Sequence, residues 1–378
     1  MLYNVFLKKN HKIMALRCGI IGIANVGKTT LFNSLSDARA ESGKNAFTSN
    51  KSNLGVINVP DERLSRLAEL VKPAKITPAT VDIVDIPGLT KGSSQGAGVG
   101  NQFLADIRNT DALIHVLRCF DDESVSHIDG TVNPVRDIET INLELQVKDL
   151  ESIEKKIQKV GKVAKLGDKN AQHDLDVLMM YKEHLDSLQP ARTLKIDEKS
   201  KSVTSDLFLL SAKPVLYVCN MDESSLKGGN RYVEMVRESL SEEKAEILVI
   251  GAKLEAEIAE LDDSEDRRAF LADAGLTEPG VNRLIQSAYN MLDLISFLTA
   301  GPKEVRAWTI RKGLNAQQAA GAIHSDIERG FIRAEVIKYA DYLEQGSEHA
   351  CKETGKLSIE GKNYIVQDGD VIYFRFNV

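Results

Sequence analysis

Apolar positions along the chain follow two periods in alternation. Short β-rich runs at 17–22, 54–59, 81–85 and 112–118 are separated by stretches with helical spacing, and further runs lie at 215–220 and 247–250. Strands alternating with helices predict a mainly parallel sheet covered on both faces, the α/β class. Between 138 and 205 the strand pattern stops. Ile153, Ile157 and Val160 recur at helical spacing, as do Leu178, Leu185 and Leu188, with the turn-like Gly167-Asp168-Lys169-Asn170 between them. This predicts an antiparallel helical hairpin inserted into the α/β domain.

The pattern changes again near the end. A strand is expected at 305–310, one helix at 316–328 and an alternating strand at 371–376, with Gly361, Gly369 and Asp370 supplying turns. The expected organisation is a short N-terminal extension (1–15, expected to lack order), an α/β domain from 16–137 and 206–297, the hairpin at 138–205, and a small α+β module at 298–378.

Composition narrows the class. Of 378 residues, 43% are hydrophobic and 27% charged, the balance of a soluble protein; the formal charge of −7 argues against a generally basic coat for nucleic acid. Basic groups gather locally: Lys148, Lys155, Lys156, Lys159, Lys162 and Lys165 share the hairpin's first arm, either a solvated face or a docking arm for a large partner. No apolar run reaches membrane-spanning length, so no membrane partner is expected. Cys18, Cys119 and Cys219 sit in or beside apolar strand runs and Cys351 in a polar stretch expected to be a loop. None has metal or redox spacing, and a reducing cytoplasm fits best.

Chemistry enters with Gly22-Ile23-Ala24-Asn25-Val26-Gly27-Lys28-Thr29, which follows a strand and opens a helix at Thr30. That is the phosphate-binding loop in its required context: amides surround the phosphates, Lys28 neutralises β/γ charge and Thr29 ligates Mg²⁺. Asp85-Ile86-Pro87-Gly88 closes a later strand. After such a loop it reads as a switch, with Asp85 holding Mg²⁺ through water and the Gly88 amide sensing the γ-phosphate. Leu89 stands where Ras-like GTPases place a water-orienting glutamine, a role an aliphatic side chain cannot fill.

A base-reading segment follows a third strand. Asn220-Met221-Asp222-Glu223 occupies the place of Asn-Lys-x-Asp, whose aspartate accepts from guanine N1–H and N2–H. Glu223 is a methylene longer, Asp222 is one position out of register, and Met221 offers an apolar group where lysine stood. Adenine removes the reason for the aspartate while Asn220 could still reach N7, so ATP is favoured over GTP.

These segments together resemble the YchF subfamily of Obg-like ATPases, from Met14 to the C-terminus. The likeness is densest at 22–33, 85–101, 116–120, 220–223 and 252–262, and the C-terminal stretches 303–309, 330–338 and 361–378 resemble its TGS domain. The resemblance implies a Ras-like P-loop NTPase domain, an inserted helical hairpin and a C-terminal α+β TGS domain. It also implies ATP hydrolysis and a ribosomal partner, with rRNA contact through the hairpin and the TGS domain. Asn25 matches the loop asparagine that coordinates K⁺ in cation-dependent NTPases, His127 matches the histidine proposed to replace the missing glutamine, and Ala252 belongs to the base-binding set. Two departures stand out. Pro87 replaces an alanine in the family's Asp-x-Ala-Gly. Switch I reads Ala46-Phe47-Thr48-Ser49-Asn50-Lys51-Ser52-Asn53, where Ser49 is by register the Mg²⁺ hydroxyl and Lys51 replaces a carboxylate.

The site expected from these readings comprises Asn25, Val26, Gly27, Lys28, Thr29, Thr30, Gly88, Asn220, Met221, Glu223 and Ala252 for nucleotide. Thr29, Ser49 and Asp85 are expected to hold Mg²⁺, and His127, Lys28 and Asn25 to serve catalysis, with K⁺ as a second ion. A slow ATP-driven switch is the leading expectation. A GTPase of the same fold, or a nucleotide-gated ribosome-binding module with negligible turnover, are its alternatives.

Overall fold

A computed structural model of the chain describes residues 16–37, 53–88, 99–261 and 263–377. The expected N-terminal extension, Ser49 of switch I and Leu89 fall outside the described residues. Twelve strands are described. The first seven are β1 (Arg17–Ile21), β2 (Asn53–Asn58), β3 (Ile76–Thr77), β4 (Thr80–Asp85), β5 (Ala112–Arg118), β6 (Val215–Asn220) and β7 (Ile247–Ile250). The rest are β8 (Leu294–Ala300), β9 (Val305–Arg311), β10 (Phe331–Ile337), β11 (Leu357–Glu360) and β12 (Val371–Phe376). The chain forms two compact units, one of residues 17–55 and 83–281, the other holding 56–82 and 282–378.

One sheet has the order β2-β4-β1-β5-β6-β7, and β1, β5, β6 and β7 run parallel. Every residue of β5 is buried, as a continuous apolar run must be in a strand paired on both edges and covered on both faces. His115, within β5, is 1% exposed and tilted against Tyr217 with ring centroids 5.6 Å apart. Burial first, then the charges of Arg192 and Lys28, push its pKa down to about 3, so it is a neutral core residue. Because parallel strands end at the same edge, the segments after β1, β5, β6 and β7 meet there, where α/β sheets bind ligands, and the Ile86 amide donating to the Ile20 carbonyl (3.1 Å) brings the segment after β4 to the same edge.

The hairpin consists of a long helix, Pro134–Ala164, and a return helix, Lys169–Asp186. Asn133 caps the first, with Pro134 in its first turn; Asp168 caps the second, accepting from the amides of Asn170 and Ala171. Ile153, Val177, Leu178, Tyr181 and Leu185 fill the seam. The expected boundary at 138 is corrected. The long helix starts at Pro134, and Ile138 packs with Leu117, Tyr217 and Val236 of the nucleotide unit, so its first turns belong to that core. Further along, the buried carboxylate of Asp149 accepts from the amides of Leu210 (2.7 Å) and Ser211 (2.7 Å) and from the Ser211 hydroxyl (2.6 Å). This ties the helix to the segment returning to β6.

The second sheet has the order β11-β10-β12-β8-β9-β3. Its pairs are antiparallel except β12 with β8 and β3 with β9. Two expectations are corrected here. The boundary at 297/298 would cut β8, a strand bonded on both edges, so this module begins no later than Leu294 and also takes in β3 from far upstream. The single helix expected at 316–328 is two, Ala316–Ala320 and Ser325–Arg329, because the His324 ring accepts from the Asp326 amide and starts a new turn. Cys351 is likewise not in a loop: it is fully buried in the helix Glu348–Glu353.

Candidate nucleotide site

The loop after β1 turns on three residues with positive φ, Gly22 (150°), Asn25 (63°) and Gly27 (95°). Asparagine tolerates the left-handed region; at Gly27 a β-carbon would also stand 2.4 Å from Asn220 Nδ2, so only glycine fits. The helix Lys28–Asp37 then starts with its free amides facing the loop, the arrangement that receives a phosphate chain. Thr29 and Thr30 are exposed in its first turn, whereas Val26 and Lys28 are buried.

Lys28 donates from Nζ to the Ile23 carbonyl at 2.5 Å, folded back into the loop. Burial pushes its pKa down to about 8, against a partial pull upward from Asp85. Asp85, at the end of β4, has the opposite problem: burial raises its carboxyl, while the Thr29 hydroxyl and Lys28 oppose that shift. Thr29 Oγ1 donates to Asp85 Oδ2 at 3.2 Å, and Asp85 Oδ1 is buried with no hydrogen-bond partner. Each charge is therefore held short of compensation. A hydroxyl, an orphaned carboxylate oxygen and a buried ammonium in one place suit Mg²⁺ bound to a polyphosphate, with hard oxygen donors for the ion and a cation for the phosphates. Gly88 joins them closely; a β-carbon there would lie 2.6 Å from Lys28 Nζ, 3.1 Å from the Ile23 oxygen and 3.2 Å from the Ala24 nitrogen.

At the base end, Asn220 is held through both atoms of its amide. Its Nδ2 donates to the Val26 carbonyl (2.9 Å) and its Oδ1 accepts from the Ala252 amide (2.9 Å), clamping the phosphate loop and the helix after β7 to the end of β6. The second Nδ2–H is the donor that remains for the expected bond to N7 of a base. Met221 is 3% exposed in a core cluster with Tyr217 and Tyr232, and its amide donates to the Ile250 carbonyl (2.9 Å), so in this conformation its side chain is a core contact. Asp222 caps the short helix Glu223–Leu226, accepting from the Ser225 amide (3.0 Å) and hydroxyl (3.0 Å). Hydroxyls and amides on its carboxylate, Ser224's foremost, hold its pKa below the usual range. Glu223 opens that helix and is exposed.

The loop between β5 and the long helix is organised from beneath by Arg118, 2% exposed, which donates to the carbonyls of Phe120 (3.2 Å), Asp122 (2.9 Å) and Val125 (2.8 Å). Asn25 touches this loop, its Nδ2 donating to the Ser126 carbonyl at 3.2 Å. The next residue, His127, does not face the phosphate loop as an open catalytic ring. Its side chain is 3% exposed; Nδ1 accepts from the Asp129 amide (3.1 Å), and Nε2 lies 3.3 Å from Asp137 Oδ2. Burial raises the Asp137 carboxyl, with His127 and Arg136 pulling the other way. His127, Asp129 and Asp137 bring their ligand atoms within 4.8 Å of one another. Yet the Arg136 guanidinium already lies among them, Nε being 3.4 Å from Asp129 Oδ2 and 3.8 Å from Asp137 Oδ1, so the group carries its own cation. Asp137 was invisible to motif reading, since it occupies no recognisable spacing; Arg118 lies in the stretch of family likeness at 116–120, but its residue type alone indicated no role.

A phosphate loop after the first strand, an aspartate and glycine after β4, and a base segment after β6 define a P-loop nucleotide triphosphatase on a Ras-like sheet. A family model described as "50S ribosome-binding GTPase" matches residues 17–156, and one for the C-terminal domain of YchF GTPases, "Protein of unknown function (DUF933)", matches 294–377. The chain is 48% identical to the "Ribosome-binding ATPase YchF" of Bacillus subtilis, and 47% to that of Haemophilus influenzae. Each match covers 97% of this chain and all of the relative. It superposes on the Schizosaccharomyces pombe YchF GTPase with a TM-score of 0.86 at 33% identity, covering 96% of this chain and 98% of that one. The chain belongs to the YchF family.

Proposed function

We propose that this protein is a Mg²⁺-dependent ATPase that acts in the cytoplasm as a nucleotide-controlled switch on the ribosome. The observation that carries the base preference is the fate of Asp222, whose carboxylate is spent on a helix cap. Only the exposed Glu223 remains to meet guanine's paired donors, and it is held by no hydrogen bond that would aim it there. Adenine makes no such demand. Competition of ATP and GTP for a fluorescent nucleotide tests this; tighter GTP binding would overturn it in favour of a GTPase, the activity named for the S. pombe relative.

Thr29 and Asp85 would hold Mg²⁺, with Ser49 the hydroxyl expected from switch I. When bound, the ion spreads the negative charge of the β- and γ-phosphates. Lys28 must leave the Ile23 carbonyl to meet those phosphates, and Gly88, which packs closely against it, would report their presence through its amide. Asn25 donates through Nδ2 to Ser126, which leaves its Oδ1 as the end suited to a K⁺ ion. With the His127 ring engaged, unstimulated turnover is slow. Single-turnover hydrolysis with K⁺ replaced by Na⁺ checks the ion's part.

The hairpin suits an RNA-rich partner. Arg108, Lys155, Lys156 and Lys159 line a groove of about 680 Å³ beside its first arm, although Lys156 is paired to Asp206 and Asp168 and Asp174 share the lining. Mixed charge of this kind favours local, specific docking over diffuse attraction. We read the C-terminal module as a TGS domain with a second share of that contact. Sedimentation with 70S ribosomes at rising salt, comparing the wild type with Lys155→Glu/Lys159→Glu, tests the hairpin's role.

A further inference from the structure

The ring of His127 is held by a residue that no motif marks. Asp129's main-chain N–H points at Nδ1, so that nitrogen is the acceptor and the ring proton sits on Nε2, 3.3 Å from Asp137 Oδ2. Both ring nitrogens are thus committed and the side chain is closed off from solvent. A ring in that state can neither align water nor accept a proton. The loop that carries it nonetheless touches the phosphate loop one residue earlier, through Ser126 and Asn25, so little travel separates the engaged ring from the phosphates.

Asp137 itself is rigidly placed. It lies in the first turn of the long helix, behind the Asn133 cap and Pro134, and its side chain is 2% exposed. Its Oδ1 makes no hydrogen bond, and the Arg136 guanidinium approaches it to 3.8 Å. A charge-assisted hydrogen bond to a buried, fixed carboxylate is stronger than a neutral one, and it is lost if the ring swings outward, together with the longer 3.5 Å approach of Arg136 Nη2 to Nδ1.

We propose that Asp137 is a positioning residue that holds His127 in its withdrawn state and thereby sets the unstimulated rate of nucleotide hydrolysis. This rests on the reading that His127 acts in hydrolysis. The pair differs from a triad in which the carboxylate supports an active ring: here the ring must leave its carboxylate before either nitrogen is free. The residue that does the holding belongs to the helix that continues into the hairpin, so whatever engages the hairpin acts on the same element.

The test uses the full-length chain and phosphate release from ATP, with and without 70S ribosomes. In Asp137→Asn the ribosome-free kcat should rise about tenfold, the factor that corresponds to 1.4 kcal/mol of holding energy, while KM for ATP stays within about twofold. The gain should vanish in Asp137→Asn/His127→Ala. If Asp137→Asn gives no gain while His127→Ala lowers ribosome-stimulated turnover, the holding role is overturned and the His127 reading stands. A gain that persists without His127 overturns both. Imidazole ¹H–¹⁵N spectra of the wild type, assigned with His127→Ala, give a second readout that does not depend on Asp137→Asn folding. A neutral ring protonated at Nε2 is expected for the resonance absent in His127→Ala, and protonation at Nδ1 would overturn the proposal.

Discussion

Gly88 lies against Lys28 so closely that a β-carbon on the glycine would stand 2.6 Å from the ammonium nitrogen. The lysine tip can move, but the same β-carbon would also press on the Ile23 carbonyl and the Ala24 amide, which are backbone and cannot. Gly88→Ala should therefore fold, with a melting temperature within a few degrees of wild type, but position Lys28 poorly. ATP turnover is expected to fall at least about tenfold, or 1.4 kcal/mol of transition-state stabilisation. Steady-state phosphate release read beside a thermal melt checks this; unaltered turnover would contradict the packing.

The depressed pKa of Lys28 has a sign that can be tested. Below about 8 the group is charged in both folded and unfolded chains; between about 8 and 10.5 the unfolded chain binds more protons, so nucleotide-free stability rises with pH in that window. A bound polyphosphate reverses the balance by favouring the ammonium. Nucleotide binding should then take up a proton above about pH 8, and affinity should weaken there by up to about tenfold per pH unit. Calorimetry in two buffers of different ionisation enthalpy measures the uptake directly, and none should remain in Lys28→Met.

Asn220 bridges two backbone groups that have no other partner in the clamp, the Val26 carbonyl and the Ala252 amide. Asn220→Ala leaves both buried groups unsatisfied, at a cost of about 2–5 kcal/mol. Because the clamp shapes the pocket for either purine, and N7 is common to both, ATP and GTP affinities should drop together. Urea unfolding gives the first quantity and paired nucleotide titrations the second; a loss confined to one nucleotide would show that Asn220 reads a group the two purines do not share.

Asp149 accepts three hydrogen bonds in the interior where the long helix meets the chain returning to β6. Asp149→Ala should destabilise this unit by about 3–5 kcal/mol, with amide exchange accelerating first at Leu210 and Ser211. Protection that stayed at wild-type level at those two amides would show that other contacts hold the hairpin's root.

What could be read in advance follows from where the information lies. The strands β5, β6, β7 and β12 are apolar runs bounded by polar residues, and their limits match the expected ones to the residue. The helix expected at 316–328 failed because its apolar spacing continues across 321–324, whereas the His324 cap that splits it is a local hydrogen bond with no period. The pairing of Ile76–Thr77 with β9 joins segments more than two hundred residues apart, and no local pattern encodes it. At the site, Lys28, Thr29 and Asp85 were legible because phosphate and metal chemistry fix their types and spacing. Asp137 was not, since what matters is its direction from a helix's first turn into a loop. The clamping role of Asn220 and the capping role of Asp222 likewise belong to three-dimensional geometry.

The helix Pro134–Ala164 has 31 residues and hence a length of about 45 Å. Its first turn is packed beside the phosphate-side loop and its far end is the tip of the hairpin, with no break between. Such a rod works as a lever with a short arm at the nucleotide and a long arm outside: a tilt of about 5° at the root sweeps the tip by about 4 Å. Read outward, a sub-ångström change around the γ-phosphate becomes a displacement large enough to alter a docking surface. Read inward, the same gearing turns a coarse push on the tip into a fine adjustment at the root, of the size that separates a hydrogen-bonded ring from a free one.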